Sequence, residues 1–332
     1  MHRELLSGAR VRCAAYVVGG VVVFVVVPQF ISSYYVFVFT EILIYGIFAL
    51  SVNMLLGYAG LISLGQAAFW GAGGYTVALI TVQAGVDSFW LCICAAVVVA
   101  TVLGGILGAL ALRTKGVYFI LLTLALAQMV WALLSPWRSI TGGTEGLYGI
   151  ARPDLGLPLS LSSSLSFYFF VLVFFAVSAF VLYRVTRSPF GRVLVGIREN
   201  EQRMRALGYS TWRYLYVCFI VAAAFGGLAG ALKVYQDGFV NPAYASLSTS
   251  ALVLLMAMIG GTRVFGGPVV GAGVVWIIRS VVSSYTVYWN LLLGVLMVAV
   301  VMFAPAGIAG YLTGIGKRYG ILEGRRRLQT LR

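Results

Sequence analysis

The chain has 332 residues, of which 61% are hydrophobic and 10% are charged. A soluble domain averages about 45–50% apolar and about 25% charged residues, so this composition excludes an ordinary soluble enzyme and indicates a protein largely surrounded by lipid. The formal net charge of +14 does not indicate nucleic-acid binding, because the basic residues lie in short polar segments between apolar runs.

Ten apolar runs predict membrane-spanning helices, each of which needs about 20 apolar residues. The first run follows a basic N-terminal segment and is interpreted as a retained helix, because no signal-peptide cleavage motif follows it. The fold class is therefore all-α and integral to the membrane. The ten predicted spans are 13–31, 34–56, 66–84, 90–112, 117–135, 165–184, 214–235, 248–262, 268–284 and 287–304.

The basic residues predict the orientation of these spans. Clusters of Arg and Lys follow the fourth, sixth and eighth spans and fill the C-terminal tail. In segments 85–89, 136–164 and 236–247, by contrast, most of the charged residues are acidic. Placing both termini in the cytoplasm puts every basic cluster inside. Five spans then lie on each side of the longest external segment, so the two halves would run in opposite directions, which permits an inverted repeat.

The whole chain, 1–332, is interpreted as one transmembrane domain. Its two helical halves are separated by an external loop, and the second half contains a cytoplasmic loop and is followed by a basic cytoplasmic tail. Glycines four residues apart predict close contacts between helices. The bounds are 13–135, 136–164, 165–304 with the loop 185–213, and 305–332, and the glycine pairs are Gly104/Gly108, Gly226/Gly230 and Gly267/Gly271.

Two features inside the first half are candidates for function. Segment 57–75 carries six glycines between apolar runs, which is typical of a broken or re-entrant helix in which Ser63 and Gln66 face a cavity. The alternative is a plain cytoplasmic turn before a Gly-rich helix. Glu41 is an acid well inside an apolar span, which is costly and therefore indicates either function or a structural pairing. Arg279 is the one candidate partner that the sequence suggests.

Segment 189–213 is the longest internal polar connection. Apolar residues recur in it at helical spacing, and the pairs Glu199/Arg203 and Glu201/Arg205 have the favourable i,i+4 order, so one short amphipathic helix is predicted. Gly208 is suited to end that helix. Such a helix lies on the membrane surface or docks into a groove of a cytoplasmic partner.

Motifs for covalent, metal or ATP chemistry are absent from the sequence. There is no G-x-x-x-x-G-K-[ST], no H-E-x-x-H and no Cys/His cluster. The chain is therefore expected not to be an enzyme and to bind no metal or cofactor of its own.

Five segments in order resemble the permease family of ABC importers for branched-chain amino acids, in its LivM-like branch. They are GYAGLISLGQAAFWGAGGY, RTKGVYFILLTLALAQ, TGGTEGL, SPFGRVLVGIRENEQRMRALG, and the pair GGLAGAL and IGGTRVFGGPVVGA. The resemblance covers about residues 40 to 310. It implies a permease of the cytoplasmic (inner) membrane that works by alternating access.

The resemblance also implies partners and site residues. The partners are a second permease, which the resemblance favours as a sister chain, two cytoplasmic ATPases that bind ATP and Mg²⁺, and an external substrate-binding protein. Segment 189–208 becomes the coupling segment that docks on an ATPase, through Glu199, Glu201, Arg203, Arg205 and Gly208. The candidate substrate-pathway residues are Glu41, Ser63, Gln66, Thr123 and Gln128, and those of the external loop are Thr141, Gly142, Gly143 and Glu145.

The sequence departs from the family where family members often carry charges, at Val117, Gln128, Trp131 and Leu252. These departures leave the substrate open among branched-chain amino acids, other hydrophobic amino acids, and urea or short amides. A proton- or sodium-driven secondary transporter is the remaining alternative. It would need a titratable relay inside the spans, for which only Glu41 and Asp237 are available.

Overall fold

The computed structural model describes residues 27–86, 88–152, 163–282, 291, 294–295, 298 and 307–311. Nearly all of the described chain is helical, apart from turns, linkers and two short strands, β1 (Leu147–Tyr148) and β2 (Phe239–Val240), which pair antiparallel. The helices are α1 (Ser33–Asn53, continued by a π-helical turn Met54–Ala59), α2 (Gln66–Ala78, continued by Leu79–Gln83), α3 (Phe89–Ala111), α4 (Val117–Leu134), α5 (Arg138–Thr141), α6 (Ser164–Arg187), α7 (Pro189–Glu199), α8 (Glu201–Ala206), α9 (Thr211–Asp237), α10 (Leu247–Gly260) and α11 (Gly267–Val282).

Five of the described helices are long and apolar enough to cross a membrane: α1 with its π-helical turn, α3, α4, α6 and α9. Helices α10 and α11 are apolar but shorter. Eight of the predicted spans thus each correspond to a helix, namely α1–α4, α6 and α9–α11. The predicted spans 13–31 and 287–304 lie largely outside the described residues, so the count of ten stays a prediction.

Helices α1 and α9 lie antiparallel in the core. The Sγ atom of Cys218, near the start of α9, is 3.4 Å from the carbonyl oxygen of Met54, near the end of α1. At the other end, Gln236 donates to the carbonyl oxygen of Phe37. Each helix has 27 residues and is therefore about 40 Å long at 1.5 Å per residue. The two ends of the bundle are called the Ser33 end and the Ala59 end, after the ends of α1.

The same local arrangement follows both of these helices. Each ends at a glycine with a positive φ, +74° at Gly60 and +75° at Gly238, a conformation that glycine adopts without a steric cost. A linker without regular helix follows Gly60, and one that contains β2 and a 3₁₀ turn (Pro242–Ala245) follows Gly238. The next helices, α2 and α10, begin where these linkers end, at Gln66 and Leu247.

Both linkers return into the middle of the bundle. Helix α10 ends at the Ala59 end, where a Cβ atom on Gly57 would clash with the carbonyl oxygen of Thr262. Its 14 residues span about 21 Å, so it begins roughly halfway along α1. The backbone N–H of Ala67 donates to Ser250 Oγ at 2.9 Å, so the N-termini of α2 and α10 meet there. The broken-helix interpretation of segment 57–75 is therefore favoured over a plain turn.

Small residues permit the close helix contacts that their spacing predicts. Added Cβ atoms would collide with Ala223 at Gly104, with the carbonyl oxygen of Trp70 at Gly230, and with that of Met256 at Gly271. Glycine lets the backbones of α3 and α9, α9 and α2, and α11 and α10 approach one another without a side chain between them. The packing role predicted for the three glycine pairs is confirmed at these positions.

The prediction of one amphipathic helix in segment 189–213 is wrong, because the structure has two. Helix α7 begins after Ser188, whose hydroxyl accepts a hydrogen bond from the backbone of Gly191, and Pro189 occupies its first turn. Asn200 then leaves the helical conformation, with φ −159° and ψ 100°, and its Oδ1 accepts from the backbone N–H of Arg203 at 2.9 Å. An asparagine that caps α8 thus interrupts the helical period.

Candidate functional site

A cavity of about 670 Å³ lies between α1, α9, α10, α11 and the linker 238–246. We call it the Glu41 cavity. Its charged lining residues are two acids, Glu41 and Asp237, and two bases, Lys233 and Arg279. Aromatic side chains form a second part of the wall: Phe37, Tyr45, Trp70, Tyr244 and Trp276.

Lys233 connects two carboxylates at one edge of this cavity. Its Nζ forms an ion pair with Glu41 Oε1 on the facing helix α1, and lies 2.5 Å from Asp237 Oδ1, one turn further along α9. The hydroxyl of Tyr244 donates to the other oxygen of Asp237. The three charged side chains are only 3–11% exposed. Burial of so many charges is tolerated because each is paired. We call these four residues the Lys233 cluster.

Lys233 was not predicted as a partner of Glu41, for which the sequence suggested Arg279. Arg279 lies on the same cavity wall and places its guanidinium over the ring of Trp276, 4.3 Å from the ring centroid. One signal for Lys233 was present in the sequence, since Lys233 and Asp237 form an i,i+4 pair inside an apolar run. Which carboxylate faces that pair depends on how α1 packs on α9, and periodicity does not contain this information.

Buried polar atoms of three residues of the cavity wall have no hydrogen-bond partner among the described residues. They are Oε2 of Glu41, Oδ1 of Asn241 and the indole N–H of Trp276. The first turn of α10 contributes Ser248 and Thr249 to the same wall. A helix N-terminus presents backbone N–H groups without intrahelical partners and a partial positive charge. The cavity thus offers hydrogen-bond acceptors and donors to a small polar ligand.

Three of the predicted pathway residues meet where α2 and α10 begin. The backbone N–H of Leu64 donates to Thr123 Oγ1 at 3.3 Å, and the side-chain amide of Gln66 donates to Ser63 Oγ at 3.4 Å. All three side chains are buried, and Oε1 of Gln66 has no partner among the described residues. Ser63, Gln66 and Thr123 do not line the Glu41 cavity, so the structure separates them from Glu41.

Gln128 and the other departures from the family pattern lie in different surroundings. Gln128 is half-buried on α4, and its Nε2 lacks a partner within the described residues. Val117 and Trp131 are 67% and 38% exposed on the same helix. Leu252 lies on the wall of the Glu41 cavity together with Leu255. The cavity wall is therefore apolar beyond the first turn of α10.

The predicted external loop packs against the linker that lines the cavity. Thr141 is buried and its hydroxyl donates to the carbonyl oxygens of Leu134 and Trp137 at 2.6 and 2.8 Å, which attaches α5 to the end of α4. Gly142 and Gly143 follow with positive φ, and Glu145 is exposed. β1 pairs with β2, so Leu147 lies opposite Val240. The loop therefore holds the linker 238–246 in place.

The predicted coupling residues lie at the Ala59 end. Glu201 binds Lys115 Nζ at 2.6 Å through Oε2 and Arg205 Nη2 at 2.6 Å through Oε1, and its Oε1 also accepts from the hydroxyl of Thr211. We call these residues the Glu201 cluster. The predicted pair Glu201/Arg205 is confirmed. The predicted pair Glu199/Arg203 is not formed, because Asn200 separates the two helices and Glu199 binds Arg198 at 2.8 Å instead.

The same segment is attached to α1 and ends on Gly208. The guanidinium of Arg198 donates to the carbonyl oxygen of Gly57. Gly208, with φ +87°, follows α8 and donates to the carbonyl oxygen of Arg205, so its predicted role as a helix end is confirmed. The surface beside this helix end is open, since Arg203 is exposed and Leu207 is 66% exposed.

Both acids of this segment are held in their charged form. The hydrogen bond and the charge of Arg198 lower the pKa of Glu199 below its ordinary value. Partial burial acts to raise the pKa of Glu201, but the hydrogen bonds from Lys115 and Thr211 and the charges of Lys115 and Arg205 outweigh it, so this pKa is lowered as well. The Glu201 cluster is therefore an ionic contact at neutral pH.

The family and the relatives that the chain matches agree with one another. Residues 34–301 match the family described as "Branched-chain amino acid transport system / permease component". The high-affinity branched-chain amino acid transport system permease protein LivM of Escherichia coli (strain K12) is 31% identical, over 91% of this chain and 76% of that protein. LivM of Salmonella typhimurium is equally similar, and LivH of E. coli is 25% identical over 80% of this chain and 91% of its own length.

No solved structure matches the chain. The family match covers most of the described bundle, including segment 57–75, the linker 238–246, the Lys233 cluster and segment 189–213. Together with the apolar helices, these relatives identify a multi-pass membrane protein that is a transport component and not an enzyme. The chain belongs to the family of permease components of branched-chain amino acid transport systems.

Proposed function

We propose that the chain is the membrane-spanning permease of an ATP-driven importer whose substrates are branched-chain amino acids. The observation that carries this proposal is the family match over residues 34–301, with 31% identity to LivM. The sister permease LivH is also among its relatives, which favours pairing with a sister chain. The remaining partners are two ATPases, which bind ATP and Mg²⁺, and an external substrate-binding protein.

In this proposal the Ala59 end faces the cytoplasm of a cell whose inner membrane holds the protein. Arg198, Arg203, Arg205 and Lys115 all lie at that end, and the positive-inside rule favours their retention in the cytoplasm. Both termini are then cytoplasmic. The Glu41 cavity lies toward the external side, where a binding protein delivers substrate.

Helices α7 and α8 would dock on an ATPase. The exposed side of α8 and the residues after it combine positive charge at Arg203 with an apolar side chain at Leu207, and such a surface fits a groove on a partner protein. Movement of this segment would reach the bundle through two contacts, Arg198 with the end of α1 and Glu201 with Lys115 before α4. These contacts connect an ATP-driven movement to the helices that line the pathway.

Alternating access would rest on an inverted repeat. Helices α1 and α9 have the same length, lie antiparallel, end on positive-φ glycines, and are followed by linkers whose next helices meet N-terminus to N-terminus. Transporters built on such repeats place substrate near the midplane, between the ends of discontinuous helices. ATP binding to the partner subunits would supply the energy difference between the outward-open and inward-open arrangements.

Uptake of labelled leucine tests this function. Cells that lack the gene are expected to lose leucine uptake and to regain it when the wild-type chain is supplied. An ATPase-inactive partner subunit is expected to abolish the restored uptake. Unchanged leucine uptake with loss of urea uptake would replace the substrate assignment, and uptake that an uncoupler abolishes while ATP is maintained would indicate a secondary transporter.

A further inference from the structure

We infer that the Glu41 cavity binds an α-amino acid as a zwitterion, with the ammonium group at Glu41 and the carboxylate group at the start of α10. This inference rests on the proposed import function and adds a substrate site inside the permease itself. The volume of about 670 Å³ falls within the range of about 300–1,000 Å³ that is usual for small-molecule sites.

The acceptor for the ammonium group is a buried carboxylate oxygen. Glu41 is 2% exposed, its Oε1 is paired with Lys233, and its Oε2 has no hydrogen-bond partner among the described residues. An unpaired oxygen of a buried carboxylate is costly unless a donor reaches it. Oδ1 of Asn241 is a second unpaired acceptor on the same wall. A primary ammonium group has three donors and can satisfy both.

The donors for the carboxylate group lie at the first turn of α10. Leu247, Ser248 and Thr249 form this turn, and Ser248 and Thr249 line the cavity. The backbone N–H of Thr249 is capped by Ser246 Oγ, and the Thr249 hydroxyl donates to the carbonyl oxygen of Ala243. The donors of this turn for a ligand are therefore the backbone N–H groups of Leu247 and Ser248 and the Ser248 hydroxyl. The helix begins in the middle of the bundle, where its N-terminal N–H groups and partial positive charge are poorly screened by water. The unpaired indole N–H of Trp276 is a further donor on the cavity wall.

The charge balance of the wall favours a zwitterion over a ligand with a net charge. Among the described lining residues two acids face two bases, so the wall has no formal net charge. A ligand with a net charge would add an unpaired charge to a poorly solvated site, whereas a zwitterion adds a balanced pair. Leu252 and Leu255, about one and two turns beyond Ser248, supply an apolar surface for a branched aliphatic side chain.

Ligand binding to the assembled transporter, without its binding protein and without nucleotide, tests the inference. Saturation-transfer NMR is suitable because it detects ligands of millimolar affinity. The probes are L-leucine, 4-methylpentanoate, which lacks the ammonium group, and 3-methylbutylamine, which lacks the carboxylate. Leucine is expected to bind, and each single-charge analogue to bind about 30-fold or more weakly, since leaving one buried charge unpaired costs at least about 2 kcal/mol.

Two variants locate the site. Glu41→Gln is expected to weaken leucine binding about tenfold or more, and Glu41→Asp to retain part of it. Leu252→Trp fills the cavity without changing a charge and is expected to abolish binding. Val102→Trp, on an exposed face of α3, is the matched control and should bind leucine like the wild type. Gel filtration and thermal unfolding of each assembled complex report that it is folded.

The outcomes separate this inference from the proposed function. If cells take up leucine through this chain but the complex shows no leucine binding, or binding that Glu41→Gln and Leu252→Trp leave unchanged, the inference is wrong and the function stands. Equal binding of 4-methylpentanoate and leucine would also overturn it. If cells show no leucine uptake and the complex binds urea through Glu41, the proposed substrate and the zwitterion site both fail.

Discussion

The Lys233 cluster and the Glu201 cluster use the same chemistry in opposite arrangements. In the first a lysine joins two carboxylates, and in the second a carboxylate joins two cations. The side chains of the first are 3–11% exposed, whereas Lys115 and Arg205 in the second are 62% and 54% exposed. Burial makes the first cluster costly to break and exposure makes the second easy to rearrange, which suits the proposed substrate site and the proposed coupling segment.

Removal of the bridging lysine should have the largest effect. Lys233→Met removes the cation that binds both buried carboxylates, so we expect the free energy of unfolding to fall by about 3–5 kcal/mol and little folded complex to form. Thermal unfolding of the purified complex measures this loss. Lys115→Met removes the corresponding cation of the exposed cluster and should cost less than about 1 kcal/mol. Similar losses in both variants would show that burial does not distinguish the clusters.

Neutralising the whole buried cluster should separate stability from transport. The combination of Lys233→Met, Glu41→Gln and Asp237→Asn removes all three charges, so no buried charge is left without a partner. Most of the unfolding temperature lost in Lys233→Met should return. Leucine uptake in cells should remain at least about tenfold below the wild type, because no carboxylate is left to bind an ammonium group. If the unfolding temperature and leucine uptake both recover, the cluster has only a structural role.

Charge reversal in the coupling segment should affect transport more than stability. Glu201→Lys places a third positive charge beside Lys115 and Arg205, which detaches the segment from the start of α4. We expect leucine uptake to fall about tenfold or more while the amount of chain in the membrane is unchanged. Glu199→Lys disturbs only the contact with Arg198 and should have the smaller effect. The reverse order would contradict the role assigned to Glu201.

The pH dependence of the exposed cluster should be the smallest effect. The pKa of Glu201 is lowered from its ordinary value of 4.5, so its ionic contribution to stability is complete above that value and is lost as the pH falls through the lowered pKa. Between pH 8 and pH 5, the difference in unfolding free energy between wild type and Glu201→Gln should therefore stay constant, at less than about 1 kcal/mol. If this free-energy difference changes between pH 8 and pH 5, Glu201 does not have the lowered pKa.

Local features were readily predicted because they depend on neighbouring residues. Apolar runs of sufficient length predicted the helices α1–α4, α6 and α9–α11, and glycine at position 208 predicted a helix end. The division of segment 189–213 was not predicted, because Asn200 acts through the backbone N–H of Arg203 and an apolar stripe alone does not reveal such a cap. The positive-inside pattern predicted an orientation that the proposed function adopts.

The sequence by itself determined the membrane class, the family and the position of a costly acid at Glu41, because composition, periodicity and ordered motifs are properties of the chain. Only the tertiary structure decided that Lys233 pairs with Glu41 across α1 and α9, and that the starts of α2 and α10 meet at Ala67 and Ser250. These contacts join residues more than 180 positions apart. They depend on which helix faces lie together, and helix packing fixes those faces.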